Sequence, residues 1–327
     1  MQVNSAFELP TIPKIYFLAL LLALAGCATR PSSRLNVAAG YCDPPLPYRY
    51  DLTFAPRADF AGALTPTLLA RYPRRNMLMA NAAGLLPALT TLLSLEATAR
   101  QQPGPAAEVA VLRQRQLIGA QMALVSTTVA GLDIELDCEG ERADQMAGYL
   151  KARDDRRTQR LNVLSISIGA ASDIGTPVVD NKATQYTFGI GGGLLAASLG
   201  LLTLTGGHST EFTHPRNLLA DVWSEKPASD VFPPSVWYLL TEPALSNGGQ
   251  TSLTHNTRRR WEHYGQLAQP NSPKCKQLAA LLFGTGGQYS TDQLTVRANV
   301  LNELQSAVRL LNQELQGLPL ALNELAR

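Results

Sequence analysis

A mostly α-helical fold is predicted by three observations. Leucine and alanine dominate while aromatics make up only 6% of the chain, a composition that favours helices packed closely through small side chains over a sandwich or a barrel. An apolar seam formed by Ile118, Met122, Val125, Val129, Leu132, Leu136, Ala143, Met146 and Leu150 advances in alternating four- and three-residue steps, interrupted only by Glu139. That spacing belongs to a helix face buried against a partner helix. The third observation is an uncharged, glycine-rich apolar run over 188–205. Together they predict a long antiparallel helical hairpin, a glycine-rich apolar helix and a smaller C-terminal helical region. The expected segment boundaries are 1–26, 27–60, 61–175, 176–207 and 208–327.

The hairpin is assigned to 61–175. Residues 64–100 have a helical pattern, with kinks expected at Pro73 and Pro87 because proline removes a backbone donor and crowds the preceding turn. Gln101-Gln102-Pro103-Gly104-Pro105 is a break, and a second helix starts at Ala106. The short turn makes the preceding helix the nearest partner for the seam, through Leu78, Leu85, Leu89, Leu92 and Leu95. Two forms of the second helix stay open. It runs unbroken toward Ala171 as a rod, rising ~1.5 Å per residue, or it breaks near Gly131 or Gly140 into two ordinary bundle helices.

The start of the chain carries its own signal. After Lys14 an uncharged run over 15–26 is shorter than the roughly 20 residues that span a bilayer and reads as the apolar core of a signal peptide. It ends in Leu24-Ala25-Gly26-Cys27, which resembles the lipobox of bacterial lipoproteins: an apolar residue, two small ones, then the cysteine that accepts lipid. The resemblance implies cleavage after residue 26 and a membrane anchor on Cys27, stable if more than one acyl chain is attached. Ala28 stands where that family's inner-membrane retention signal has aspartate, which implies the periplasmic face of the outer membrane rather than the inner membrane. The resemblance covers the leader alone. The segment 27–60 reads as a tether, loose at Pro31, Ser32 and Ser33, that becomes extended at Pro44-Pro45-Leu46-Pro47. Tyr48, Tyr50 and Phe54 then lie along a helical surface or form a short edge strand.

Residues 1–26 hold one lysine and one glutamate, so their removal leaves the net charge at +2, which argues against nucleic acid as a partner. Beyond Cys27 three cysteines remain, Cys42, Cys138 and Cys275. Their spacing fits neither a metal knuckle nor a CxxC pair, and in an oxidising compartment it suggests a structural staple. Folding the hairpin at Pro103 favours Cys42 with Cys138. Cys275 as the partner, or three buried thiols, stays open.

The run 188–205 carries small residues at Gly189, Gly193 and Ala197 on one face, with Gly192, Ala196 and Gly200 beside it, a spacing that lets helix backbones approach closely. With Leu161, Val163, Leu164, Ile166 and Ile168 upstream and a turn through Gly175-Thr176-Pro177 and Asp180-Asn181, it forms an apolar hairpin. Packing into the core is the expected fate, and contact with or entry into a bilayer is the alternative. The preceding Lys151, Arg153, Arg156, Arg157 and Arg160 suit anionic headgroups, but Asp154 and Asp155 interleave with them, so a solvated helix face is the plainer account.

Signatures of chemistry are sparse. Gly191, Gly193 and Ala196 fit GxGxxA, with Glu211 downstream, but a dinucleotide site needs a βαβ unit around it. His208, Glu211 and His214 have poor metal-ligand spacing between Gly206-Gly207 and Pro215, and a surface loop is expected there. Arg258-Arg259-Arg260-Trp261, flanked by His255 and His263, could grip an anion, but a solvated amphipathic helix is the plainer account. GxSxG, SxxK, HExxH and GxxxxGK[ST] do not occur. No catalytic residue, metal or cofactor is therefore assigned.

Short helices are expected around 217–223, 235–240 (capped by Ser235) and 274–283, among several prolines and the aromatics Trp223, Trp237 and Tyr238, which are expected to pack across the bundle, a partner-facing patch being the alternative. A final helix is expected over 291–315, capped by Thr291 and ended by Gly317-Leu318-Pro319. The expectation for function is a lipid-anchored, non-enzymatic helical scaffold or accessory subunit with a protein partner in the cell envelope. One alternative is a membrane-active protein whose hairpin over 161–205 inserts or oligomerises. A second is an enzyme of unrecognised type.

Overall fold

One helix organises the computed structural model. After the short helices α1 (Phe60–Ala63), α2 (Pro66–Arg71) and α3 (Arg74–Ala82), helix α4 (Leu86–Gln101) leads into α5, Pro105–Val178, which runs 74 residues without a break, or ~110 Å at ~1.5 Å per residue. The order continues with α6 (Lys182–Leu204), β1 (Ser209–Thr213), α7 (Leu218–Ser224), α8 (Pro234–Thr241), α9 (Leu253–Trp261) and α10 (Pro273–Phe283), then β2 (Gly286–Ser290), α11 (Thr291–Leu315) and α12 (Gly317–Glu324). The structure describes residues 40–44, 52–178, 182–204, 207–246 and 248–324, all within the unit Val37–Arg327. Cys27 with its lipobox, most of the tether, and Tyr48 and Tyr50 lie outside the described residues. The chain is mostly α, as its composition and seam predict.

Helix α5 takes the rod form, so neither Gly131 nor Gly140 breaks it. Each glycine costs an isolated helix about 1 kcal/mol, whereas burying a large apolar side chain stabilises by roughly 1.5–3 kcal/mol. All nine seam residues are buried, so packing outweighs propensity.

The partner of the seam differs from expectation. Helix α4 covers only its first part, where Gln114 Nε2 donates to the Ala88 carbonyl at 2.9 Å and Arg115 pairs with Glu96 at 2.7 Å. Sixteen residues reach about 24 Å, too short for a helix of this length. The middle of α5 packs against α11, which arrives from the far end of the chain and runs antiparallel. Gln305 Nε2 donates to Asp137 Oδ1 at 2.7 Å, and Arg309 pairs with Asp133 at 2.9 Å. The last third packs against α6. Residues 208–327 thus share the core of the hairpin: Leu85, Leu132, Trp237, Trp261 and Leu301 belong to one apolar cluster.

Local chemistry sets the boundaries. Between α3 and α4 the chain turns sharply at Gly84, whose φ is +66°, a left-handed conformation that glycine adopts without strain; Pro87 lies in the first turn of α4 rather than at a kink. Ser290, not Thr291, caps α11, in a capping box with Gln293. Pro233 precedes α8 without a side-chain cap, so Ser235 does not serve as one. After Gln316 the chain enters α12 instead of ending its helical course at Gly317.

Cys42 and Cys138 form a disulfide with Cα atoms 5.6 Å apart, and Cys275 is a buried free thiol. The bridge ties the start of the described chain to the middle of α5.

Candidate functional site

Beyond Asp154, α5 and α6 form an antiparallel helical hairpin. At its base the His208 backbone N–H donates to Asp154 Oδ1 at 2.8 Å, and the ring Nδ1 lies 2.5 Å from the same oxygen. Burial raises the Asp154 carboxyl, but the backbone and side-chain bonds from His208 outweigh it and hold the group below the usual range. Further out, Ser165 Oγ donates to the Ala196 carbonyl at 2.9 Å. On the inner face Gly192 sits against Ser172, and a Cβ at Gly192 would lie 1.6 Å from its Oγ. The two small-residue stripes therefore separate. Gly192 is buried and Ala196 and Gly200 are half-buried, whereas Gly193 and Ala197 face outward; Gly189 lies one turn earlier in α6.

The expectation that this hairpin is buried in the core is corrected by its exposure. Ile166 is 72% exposed, Leu194 67%, Val163 63%, and Ile190 and Leu201 61% each. Residues 161–172 and 190–203 contain no charged side chain. At ~100° per residue (3.6 per turn), Ile166, Ala170, Val163 and Leu164 lie on an outward arc of α5 about 160° wide, which also carries Ser167 and is bordered by Asn162. Ile190, Leu194, Leu201, Leu202 and Leu195 form a corresponding arc on α6. The hydroxyls of Ser165, Ser172, Ser198 and Thr203 all donate to backbone carbonyls of the hairpin. At the base, Arg153, Arg156 and Arg160 are exposed on one face of α5, and no carboxylate among the described residues pairs with them. Lys151 pairs with Asp155 at 3.5 Å.

The two neighbouring glycines make a sharp test of the hairpin. Gly192→Leu is expected to splay it, seen as faster amide hydrogen exchange over 161–172 and 190–203. Gly193→Ala, where the added methyl meets open space, should leave exchange unchanged or slow it, since alanine is the better helix former by about 1 kcal/mol. Equal effects from both would contradict this packing.

Elsewhere on α5 the apolar exposure is one-sided. Val109, Leu112, Leu117, Leu124 and Ile134 are exposed on the arc opposite the buried seam.

The region expected as a loop holding His208, Glu211 and His214 contains strand β1, which includes Glu211, is flanked by the two histidines and pairs antiparallel with β2. It was not legible because its partner lies some 80 residues away and only Phe212 is buried along it. His214 is not at the surface: it is 1% exposed, with Nε2 2.9 Å from the Tyr289 hydroxyl, which donates to the Leu281 carbonyl at 2.7 Å. Glu211 faces outward, so the three do not converge. Behind the sheet, Arg142 donates twice to Glu139, at 3.1 and 2.8 Å, and once to the Thr213 carbonyl at 3.0 Å. Its guanidinium lies over the Phe212 ring at 3.9 Å. Arg297, 1% exposed, donates to the Leu282 carbonyl at 2.8 Å and approaches Glu139 at 3.9 Å. Burial pushes the Arg297 guanidinium down from its ordinary value.

Burial, reinforced by the Arg297 and Arg142 charges, pushes the His214 imidazole down from 6.5 to about 3. The unfolded ring takes up a proton near 6.5 while the folded ring stays neutral. This contribution is complete above that pH and is lost as the pH falls toward 3. Stability is expected to fall by about 1.4 kcal/mol per pH unit between pH 6.5 and 5, read from denaturation midpoints. His214→Gln, which retains a donor for Tyr289, should flatten that dependence; an unchanged slope would count against the assignment.

The arginine patch is neutralised. Arg258 pairs with Glu225 and Glu262, Arg259 with Glu262, and Arg260 with Glu303, while Trp261 is buried. Arg260, His263, Tyr264 and Glu303 line an open depression of about 410 Å³. There Tyr264 donates to Glu303 at 2.7 Å, and burial, then Glu303, raises its hydroxyl to about 12. The dinucleotide reading does not survive, because Gly191, Gly193 and Ala196 lie within α6 rather than after a strand. No known protein family matches the chain, and no curated protein or solved structure matches it.

Proposed function

We propose that this chain is a lipid-anchored, non-enzymatic scaffold or accessory subunit of a cell-envelope assembly, held through acylated Cys27 at the periplasmic face of the outer membrane. The observation that carries the scaffold part is the one-sided apolar stripe on α5 at Val109, Leu112, Leu117, Leu124 and Ile134. A helix that buries one face in its own core and leaves leucines on the opposite face presents a ready surface to a partner helix. The length of α5 supports the same reading, since a continuous helix keeps the residues of such a stripe in fixed register along one rigid element. The anchor itself rests on Leu24-Ala25-Gly26-Cys27, and the Cys42–Cys138 disulfide accords with an oxidising compartment.

The deciding experiment is mass spectrometry of the protein isolated from cells. Residue 27 should be the N-terminus and carry acyl chains, and the protein should fractionate with the outer membrane. Photo-crosslinkers at Leu112 and Leu124 should then give a discrete adduct that is absent with the label at exposed Arg259. An intact, unlipidated leader on a cytosolic protein would end this reading.

A further inference from the structure

We propose that the α5–α6 hairpin enters a phospholipid bilayer as far as Arg160, with Arg153, Arg156 and Arg160 meeting headgroup phosphates at its base. This goes beyond the scaffold reading: it draws on the envelope location but not on lipid at Cys27.

Three observations choose lipid over a protein partner. The first is the distribution of apolar surface. A second chain would cover one side of the hairpin and leave the other polar, as the one-sided stripe at 109–134 illustrates. Here exposed leucine, isoleucine and valine extend around the outer arcs of both helices, which suits a solvent that surrounds the hairpin. The second is the treatment of polar groups. Hydrocarbon offers no partner to a hydroxyl, and four of the hairpin's hydroxyls, Ser165, Ser172, Ser198 and Thr203, each donate to a carbonyl within it, while the exposed polar side chains Asn162 and Ser167 lie within about two turns of Arg160. Gly192 lets the helices approach closely, the type of packing that holds when water no longer drives apolar faces together. The third is the order of chemistry along the axis. Exposed guanidiniums without carboxylate partners stand where the uncharged section begins, the arrangement that headgroup phosphates complement. The uncharged section of α5 ends at Ser172, before Asp173, ~18 Å beyond Arg160, so it reaches past the midplane of a ~30 Å hydrocarbon core without crossing it.

The test uses the full, lipidated protein reconstituted into phosphatidylethanolamine–phosphatidylglycerol vesicles, with Cys275→Ser removing the free thiol. An environment-sensitive fluorophore is placed on one introduced cysteine at a time, by Leu112→Cys, Arg156→Cys, Ile166→Cys or Leu194→Cys. All four positions are exposed, so helix content and melting temperature should match the parent and report any folding failure directly. Lipids brominated in their acyl chains should quench the labels at 166 and 194 several-fold more than the one at 112. The label at 156 should respond to a headgroup quencher instead. A flat profile across all four positions overturns the proposal. So does an intermolecular disulfide through Leu194→Cys that forms as readily without vesicles and leaves the label unquenched, because that result gives the face to a second copy. Failure of the anchor reading would look different: no acyl mass on residue 27 in protein from cells, with the labels at 166 and 194 still quenched in vesicles.

Discussion

Replacing Glu139 with leucine is expected to lower stability by about 3–5 kcal/mol, the cost of removing one partner from a buried ionic group. Glu139 is 5% exposed and Arg142 3%. Without the carboxylate, the guanidiniums of Arg142 and Arg297 would be left in the core with backbone carbonyls, the Tyr289 hydroxyl and the Phe212 ring as their partners. The loss should appear as a lower denaturant midpoint at unchanged slope. The triple replacement Glu139→Leu, Arg142→Leu and Arg297→Met removes all three charges together and is expected to cost much less, since apolar groups of similar volume can replace a buried ionic cluster almost neutrally. A single variant no worse than the triple would show that Glu139 is not what neutralises the guanidiniums.

Removing the Cys42–Cys138 bridge with paired alanine substitutions is expected to cost about 2–5 kcal/mol, the range for a native disulfide. The bridged residues are 96 positions apart, so the unfolded chain regains considerable freedom when the link is cut. Helices α1 to α3 and the sharp turn at Gly84 lie inside the closed loop and should be the first to gain hydrogen exchange. Reducing agent should reproduce the loss in the parent protein and change nothing in the double variant. A double variant as stable as the parent would leave the bridge without an energetic role.

The helix content, the seam residues and the Cys42–Cys138 link were legible from the sequence because each depends on spacing within a single element or on one fold-back at Pro103. What was not legible depends on chain-distant pairing. The short strands β1 and β2 have little alternation to advertise them, and each gets its ladder from the other. The seam announced that it needed a partner without saying which, and proximity pointed to α4 where length required α11. A pair of lone charges in the sequence marks the true partner. Glu139 interrupts the apolar seam of α5, and Arg297 interrupts an otherwise apolar series in α11, Leu294, Leu301, Leu304, Val308, Leu311 and Leu315. Two helices that each carry a lone charge of opposite sign in an apolar face are natural mates. The exposure of the α5–α6 hairpin was beyond periodicity, because apolar residues on every side of a helix read alike whether the surroundings are protein or lipid.

The contact between Arg309 and Asp133 joins residues 176 positions apart. During synthesis, made at about 5–20 residues per second, the stretch from Val125 to Leu150 must therefore wait roughly 10–35 seconds for its covering helix to be translated. Over that interval its leucines and methionines are available to the wrong neighbours. A ribosome that stops near residue 290 would release a sticky stub rather than a smaller working protein.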